Sequence, residues 1–412
     1  MSLSTLRIRG HSAFQTVLDN GATAVAIHVP HARNHSVALA VRAGMRDELP
    51  GQEGMMRLIE HMIHQDGSVS HGLEPQPWVA RAADRLGART HMDYTEFYET
   101  AGLDDVPTMA RRLVEQAFHP AFRGEQLLEQ IAAVATERRN RLADAPGGLL
   151  PWPHLTSLYW RDHSNAHDGS GDLDLSHRAT TTVLRGLHAK RYRPDGAAVV
   201  ALSGQPGEEI VAALAEAMSS VPERRDEAEV PERAGQAIAQ GSEVTVVGGR
   251  ARLLSATAAA PATLTPPMLG DLVVAELLAT QRDLEASAGL FGPGDLVRDD
   301  LFVVVDDTEL ALEPTDRVRA TSAADDDLLL HAVGRAVDRT EAFTVDDGRL
   351  TRAVARDVAL RGEPSFAPDL VTRLRGLLMH PNDIRTLVAA ASARLASQPF
   401  ASIRIQGKDD AA

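Results

Sequence analysis

Arg57-Leu58-Ile59-Glu60-His61-Met62 is the stretch whose residue types and spacing come nearest to a chemical site. In the pattern His-x-x-Glu-His, two imidazoles four residues apart on one helical face grip a zinc ion. The glutamate beside them acts as general base on the zinc-bound water. Here Glu60 stands at the general-base position and His61 at one ligand position, but Arg57 fills the place of the other histidine. A guanidinium has no lone pair to donate and stays protonated. Catalytic zinc generally needs three protein ligands and a water, so the substitution removes a ligand and adds a fixed positive charge. Arg57 precedes Glu60 by three residues on the same helix, where a cation relieves the carboxylate repulsion that a metal would otherwise neutralise. His64 shares the helical stripe of positions 57 and 61, about 5 Å along the axis beyond His61. It reads first as a packed structural histidine and second as a substitute metal ligand. A Glu-His pair on a helix is common on solvated surfaces, so the surroundings must decide what this one means.

Those surroundings are an alternation of strands and helices. Residues 15–18 and 22–29 flank Asp19-Asn20-Gly21, a turn signal, and predict a hairpin. A strand is expected over 36–43 and a helix over 53–65, where Met55, Met56, Leu58, Ile59, Met62 and Ile63 supply apolar faces. A helix follows at 76–86, a strand at 95–102, and helices at 106–118 and 124–144. A helix at 181–192, a strand at 196–203 and a helix at 206–221 close the first half. Residues 223–240 are charged and interrupted by proline, which suggests a linker. The second half has strands at 243–247, 252–258, 301–305 and 401–406. Its helices fall at 267–284, 323–337, 345–360, 368–378 and 381–395. The division expected is therefore 1–222, a linker over 223–240, and 241–412: two similar α/β units without a literal repeat.

With the elements in place, the sequence resembles the pitrilysin/insulinase family of zinc peptidases, especially its processing-peptidase branch. Leu18-Asp19-Asn20-Gly21 is similar to the family's opening Leu-x-Asn-Gly hairpin. Ala43-Gly44-Met45-Arg46-Asp47-Glu48, with Gly51 and Gly54, is similar to its approach to the motif helix. Thr90 and Thr95, Asp162-His163 and Tyr192-Arg193-Pro194 match later landmarks. The likeness is strong over 14–222 and rests mainly on element order over 243–407. It implies an α+β fold with a mixed, largely antiparallel sheet packed against helices in each unit. It also implies that Glu137, in Val134-Ala135-Thr136-Glu137-Arg138, falls on the third ligand position. Without the family frame, Glu137 among Arg138, Arg139 and Arg141 reads as a salt-bridged helix face. Gly87 stands where relatives carry a substrate-orienting Asn. Gly289-Leu290 survive from a substrate-holding Arg-Glu-x-x-Gly-Leu-x-Tyr stretch whose Arg and Tyr are gone.

Composition limits the function. The formal net charge of −15 argues against nucleic acid as a partner, and the acidic balance favours a basic peptide if a peptide binds. No apolar run spans a membrane, no secretory signal opens the chain, and cysteine is absent, which together suggest the cytoplasm. The expectation is a non-catalytic subunit that shapes a closed chamber and binds unfolded peptide. Zinc would sit in a homologous partner subunit with an intact His-x-x-Glu-His, and no cofactor would sit in this chain. The alternatives are an autonomous metallopeptidase with a rearranged zinc site, or a structural core-type scaffold without a peptide role.

Overall fold

The computed structural model describes residues 2–66, 86–101, 105–144, 151–167, 169, 175, 177–224, 242–247, 252–281, 284–306 and 313–406. The chain opens with strands β1 (Ser4–Ile8), β2 (His11–Val17), β3 (Thr23–His28) and β4 (His35–Val41). Helix α1 (Met55–Asp66) precedes β5 (Leu86–Thr90) and β6 (Thr95–Ala101). Helices α2 (Val106–Phe118), α3 (Gly124–Asp144), α4 (Pro151–Tyr159), α5 (His163–Ala166) and α6 (Thr181–Arg191) lead to β7 (Ala197–Ser203) and α7 (Gly207–Met218). Then come β8 (Glu243–Val247), β9 (Arg252–Ala258), α8 (Pro266–Leu278), β10 (Leu284–Ala288) and β11 (Leu301–Asp306). The chain ends with α9 (Pro314–Ala320), α10 (Asp326–Ala342), α11 (Asp347–Arg361), α12 (Phe366–Leu377), α13 (Pro381–Ala396) and β12 (Ala401–Gln406).

Two mixed sheets organise these elements. The first runs β1-β2-β3-β7-β4-β6-β5 and is antiparallel except where β3 pairs parallel with β7. The second runs β10-β11-β9-β12-β8 and is antiparallel except where β12 pairs parallel with β8. Each is thus mixed and largely antiparallel, as the resemblance implied. Chain contacts define two compact units: Met1–Thr136 with Gly169–Pro231 and Phe343–Pro368, and Glu137–Asp168 with Glu232–Ala342 and Asp369–Ala412. The units interleave along the sequence for a simple packing reason. One face of the first sheet packs on α1, α2, α6 and α7, while Leu350, Val354, Ala355 and Val358 of α11 cover the other. In the second unit α8, α10 and α13 cover one face, and Leu155 and Tyr159 of α4 with Trp160 cover the other. Each sheet therefore takes one covering helix from the far half of the sequence. Most of the expected linker and the expected helix over 76–86 lie outside the described residues. Among the described residues, no helix is long and apolar enough to cross a membrane.

Two local expectations needed correction. The helix expected over 267–284 stops at Leu278, where Thr280 Oγ1 donates to the Leu277 carbonyl at 2.6 Å and turns the chain. Leu284 opens β10, which pairs with β11. Leu86 likewise opens a strand, because Leu86-Gly87-Ala88-Arg89-Thr90 pairs with β6 from Glu99 to Thr95. α4 begins Pro-Trp-Pro, since proline is tolerated in a first helical turn.

Beneath α6 lies a titratable group that couples folding to pH. The His188 ring bonds through Nε2 to the Ala117 carbonyl at 2.8 Å, stacks on Tyr192 and meets Phe122 edge-on. Burial lowers its pKa to about 4, against the opposing pull of the Ala117 carbonyl. The unfolded chain binds this proton near pH 6.5, so the folded state loses ground as the pH falls from there toward 4. Denaturant unfolding should show roughly 2 kcal/mol of this loss between about pH 7.5 and about pH 5. His188→Gln, which can still donate to the carbonyl without titrating, should remove that share of the slope. An unchanged slope in the variant would assign the acid sensitivity elsewhere.

Candidate functional site

α1 is held at its N-terminus by a buried carboxylate. Glu48 is fully buried and accepts from the Met56 amide at 2.7 Å and the Gly54 amide at 3.1 Å. It thereby satisfies backbone donors that a helix start leaves orphaned and adds negative charge at the positive end of the dipole. The preceding segment is pinned to the β5–β6 turn. The Met45 and Arg46 amides donate to the His91 and Met92 carbonyls, and buried Arg46 pairs with Asp93 at 2.9 Å. Residues 43–54, legible in the sequence only as family landmarks, thus fix α1 against the edge of the first sheet. Met55, Met56, Leu58, Ile59, Met62 and Ile63 all enter the core, which leaves the polar stripe of α1 facing β5.

On that stripe, Arg57 Nη1 donates to Glu60 Oε2 at 2.6 Å. Thr90 Oγ1 of β5 donates to the same oxygen at 3.2 Å. Glu60 is 4% exposed, so its charge depends on these two partners. His61 is half-buried on the same helix. His64 is half-buried one turn on, where burial lowers its pKa, Glu60 pulls it back up and His61 pushes it down again. Tyr192 lies fully in the core nearby. Burial pushes its hydroxyl above the usual phenol range, the nearby Thr95 side chain draws it down, and the Glu60 charge raises it further. α1 and β5 therefore bring together Arg57, Glu60, His61, His64 and Thr90. In the sequence Thr90 is only a family landmark, and nothing there marks it as the second donor to Glu60.

Glu137 lies half-buried on α3 and groups with the second unit, whereas α1 belongs to the first. Gly289 and Leu290 also lie in the second unit, in the turn after β10. Gly289 has φ +100°, and a Cβ there would stand 2.5 Å from the Gly292 carbonyl oxygen. The Leu290 amide donates to Asp300 Oδ1 at 2.9 Å. The turn is built by close backbone approach, which only glycine permits at 289. Gly87 faces Tyr98 across the β5–β6 pair, and a Cβ at 87 would sit 2.6 Å from the phenol oxygen. At the position where the resemblance implies a substrate-orienting Asn, a tyrosine hydroxyl from the neighbouring strand occupies the space.

The donor set does not suit a catalytic zinc on α1. Arg57 offers no lone pair, and it bonds the carboxylate that would have to act on a metal-bound water. Among the described residues, no group of three or more His, Asp or Glu side chains is arranged to hold a metal ion.

This sheet-and-helix frame has known counterparts. A sequence model of the insulinase family, peptidase family M16, matches residues 23–166. A protein described as an uncharacterized zinc protease from Mycobacterium leprae is 25% identical over 212 residues, 52% of this chain and 47% of that relative's length. One so described from Streptomyces coelicolor is 22% identical over 412 residues, 90% of this chain and 86% of the relative. The solved structure of an M16 peptidase inactive domain from Pseudomonas fluorescens superposes with TM-score 0.74 at 14% identity, covering 99% of this chain and 98% of that one. A Helicobacter pylori protease gives 0.68 at 16% identity, covering 96% and 99%. The class is thus a two-unit α+β peptidase fold. Residues 23–166 of this chain match the model of the insulinase family, peptidase family M16, and its two units share the fold of solved M16 peptidase structures.

Proposed function

We propose that this chain is the zinc-less, cytoplasmic subunit of a two-chain metallopeptidase. It shapes the chamber and holds unfolded peptide, while a homologous partner with an intact His-x-x-Glu-His binds zinc and cleaves. The observation that carries the reading is the Arg57–Glu60 pair. The cation sits on the general-base carboxylate at the position where an imidazole would have to bind metal. A relative of the same fold is itself described as an inactive domain, which supports the class of assignment.

The peptide-holding part of the reading rests on β5. Among the described residues β5 pairs with β6 alone, so within that set no strand takes its outer backbone groups, and they suit an extended chain. An unfolded segment can join such an edge through main-chain hydrogen bonds, with side chains supplying specificity. Thr90 links β5 directly to Glu60 on α1, so a segment added there would run beside the degenerate motif.

The test is co-expression with a homologous chain that carries the intact motif, followed by sizing and a peptide-cleavage assay. The pair should co-elute and cleave faster than the partner alone. Glu60→Gln here should leave that rate nearly unchanged, while the matching change in the partner abolishes it. A pair that cleaves no faster than the partner alone rules the assignment out. Metal-dependent cleavage by the isolated chain, lost in Glu60→Gln, would instead assign autonomous activity.

A further inference from the structure

The open strand β5 carries a local charge pattern opposite in sign to the chain as a whole. Ala88 packs toward the core on the α1 side, and Thr90 reaches Glu60 there. Side chains alternate along a strand, so Arg89 lies on the other face, directly opposite Glu96 of β6, with Gly87 opposite Tyr98. α11 covers that face. Arg352 of α11 donates through Nε to Glu96 Oε1 at 3.1 Å and makes a second bond to the same oxygen through Nη2. Its guanidinium carbon lies 3.8 Å above the Tyr98 ring. His91 Nε2 stands 4.0 Å from Glu96. Burial alone would raise the Glu96 pKa, but Arg352, His91 and Arg89 together hold it below the ordinary carboxylate range. Glu96 is 3% exposed, so one buried carboxylate faces two permanent cations and an imidazole. Arg352 suffices to neutralise it, and Arg89 is exposed on the outermost strand.

We propose that the β5 edge selects extended peptides bearing an acidic side chain beside Arg89. The proposal rests on the peptide-binding reading above and names the chemistry that reading leaves open. A strand paired with β5 would bring a Cβ to about 5 Å from that of Arg89, a spacing at which opposite charges stabilise and like charges destabilise. Gly87, the other position on this face, has no side chain, and the Tyr98 hydroxyl fills its space. Arg89 is then the side chain that an incoming strand meets there. The overall charge of −15 favours basic peptides at long range, but salt screens that field beyond about 8–10 Å. At the edge itself the local cations decide.

The test uses the full chain and fluorescence polarisation. Two short labelled peptides share an apolar, proline-free composition and carry either Glu or Lys at alternate positions. The Glu peptide should bind roughly three- to tenfold more tightly. Arg89→Glu should invert the preference, and Arg89→Gln should abolish it; either variant suffices if the other fails to fold. Arg385→Glu, on α13 in the second unit, makes the same change in net charge and should leave the preference intact. Equal affinities, or tighter binding of the Lys peptide, would overturn the inference while peptide binding itself stands. Failure of both peptides to bind would overturn the inference and the peptide-binding reading together.

Discussion

Replacing Arg57 with alanine should destabilise the chain by about 2–4 kcal/mol, read as a fall in the denaturant midpoint. The cause is the carboxylate left behind. Glu60 has 5% side-chain exposure and Arg57 15%, and they meet at 2.6 Å. Removing one partner of a buried pair leaves an uncompensated charge, which costs more than the pair contributes. The range sits below the cost for a fully buried pair because Arg57 keeps some access to solvent. Arg57→Met combined with Glu60→Gln removes both charges and keeps volume and the Thr90 contact. The double variant should therefore lie within about 1 kcal/mol of the native chain. If Arg57→Ala proves neutral, the arginine is not holding the site together. If the double variant is as unstable as the single, the loss comes from packing and not from charge.

Arg57→His should raise zinc affinity by roughly 100-fold or more over the native chain, measured by competition with a chelating dye. The variant rebuilds His-x-x-Glu-His on a helix whose N-terminus and core face are already fixed by Glu48 and six buried apolar side chains. It also frees Glu60 from the guanidinium. The sequence resemblance puts Glu137 at the third ligand position, and the experiment tests that expectation as well: if it holds, Glu137→Ala should cancel the gain. An unchanged affinity in Arg57→His would mean that His61 and Glu137 are not placed as ligands, and the reading of this helix as a damaged metal site would fail.

Physical range along the chain decides what the sequence can reveal. The Arg57–Glu60 pairing is legible because a three-residue helical spacing suffices to bring the two together. α1 itself follows from its apolar periodicity. The opening hairpin follows from Asp19-Asn20-Gly21, but not the second task of Asn20. Its amide bonds the carbonyls of Met218 and Val221, about two hundred residues away. β5 escapes because Leu-Gly-Ala-Arg-Thr has neither β-branched density nor a clean alternation. Only pairing with β6 makes it a strand. The Glu96–Arg352 bond joins residues 256 positions apart, so Glu96 reads as one more surface acid until α11 is seen on the sheet. The reciprocal placement of α4 and α11 is hidden for the same reason. Each helix looks like a member of its own half, and only packing assigns it to the other sheet.

The most direct test of the account is the metal content of the native chain itself, expressed with zinc in the medium, purified without chelator and measured by elemental analysis. The account predicts far less than one zinc per chain, with Arg57→His approaching one under the same conditions. Native protein that carries stoichiometric zinc, and loses it on His61→Ala, would contradict the account at its root.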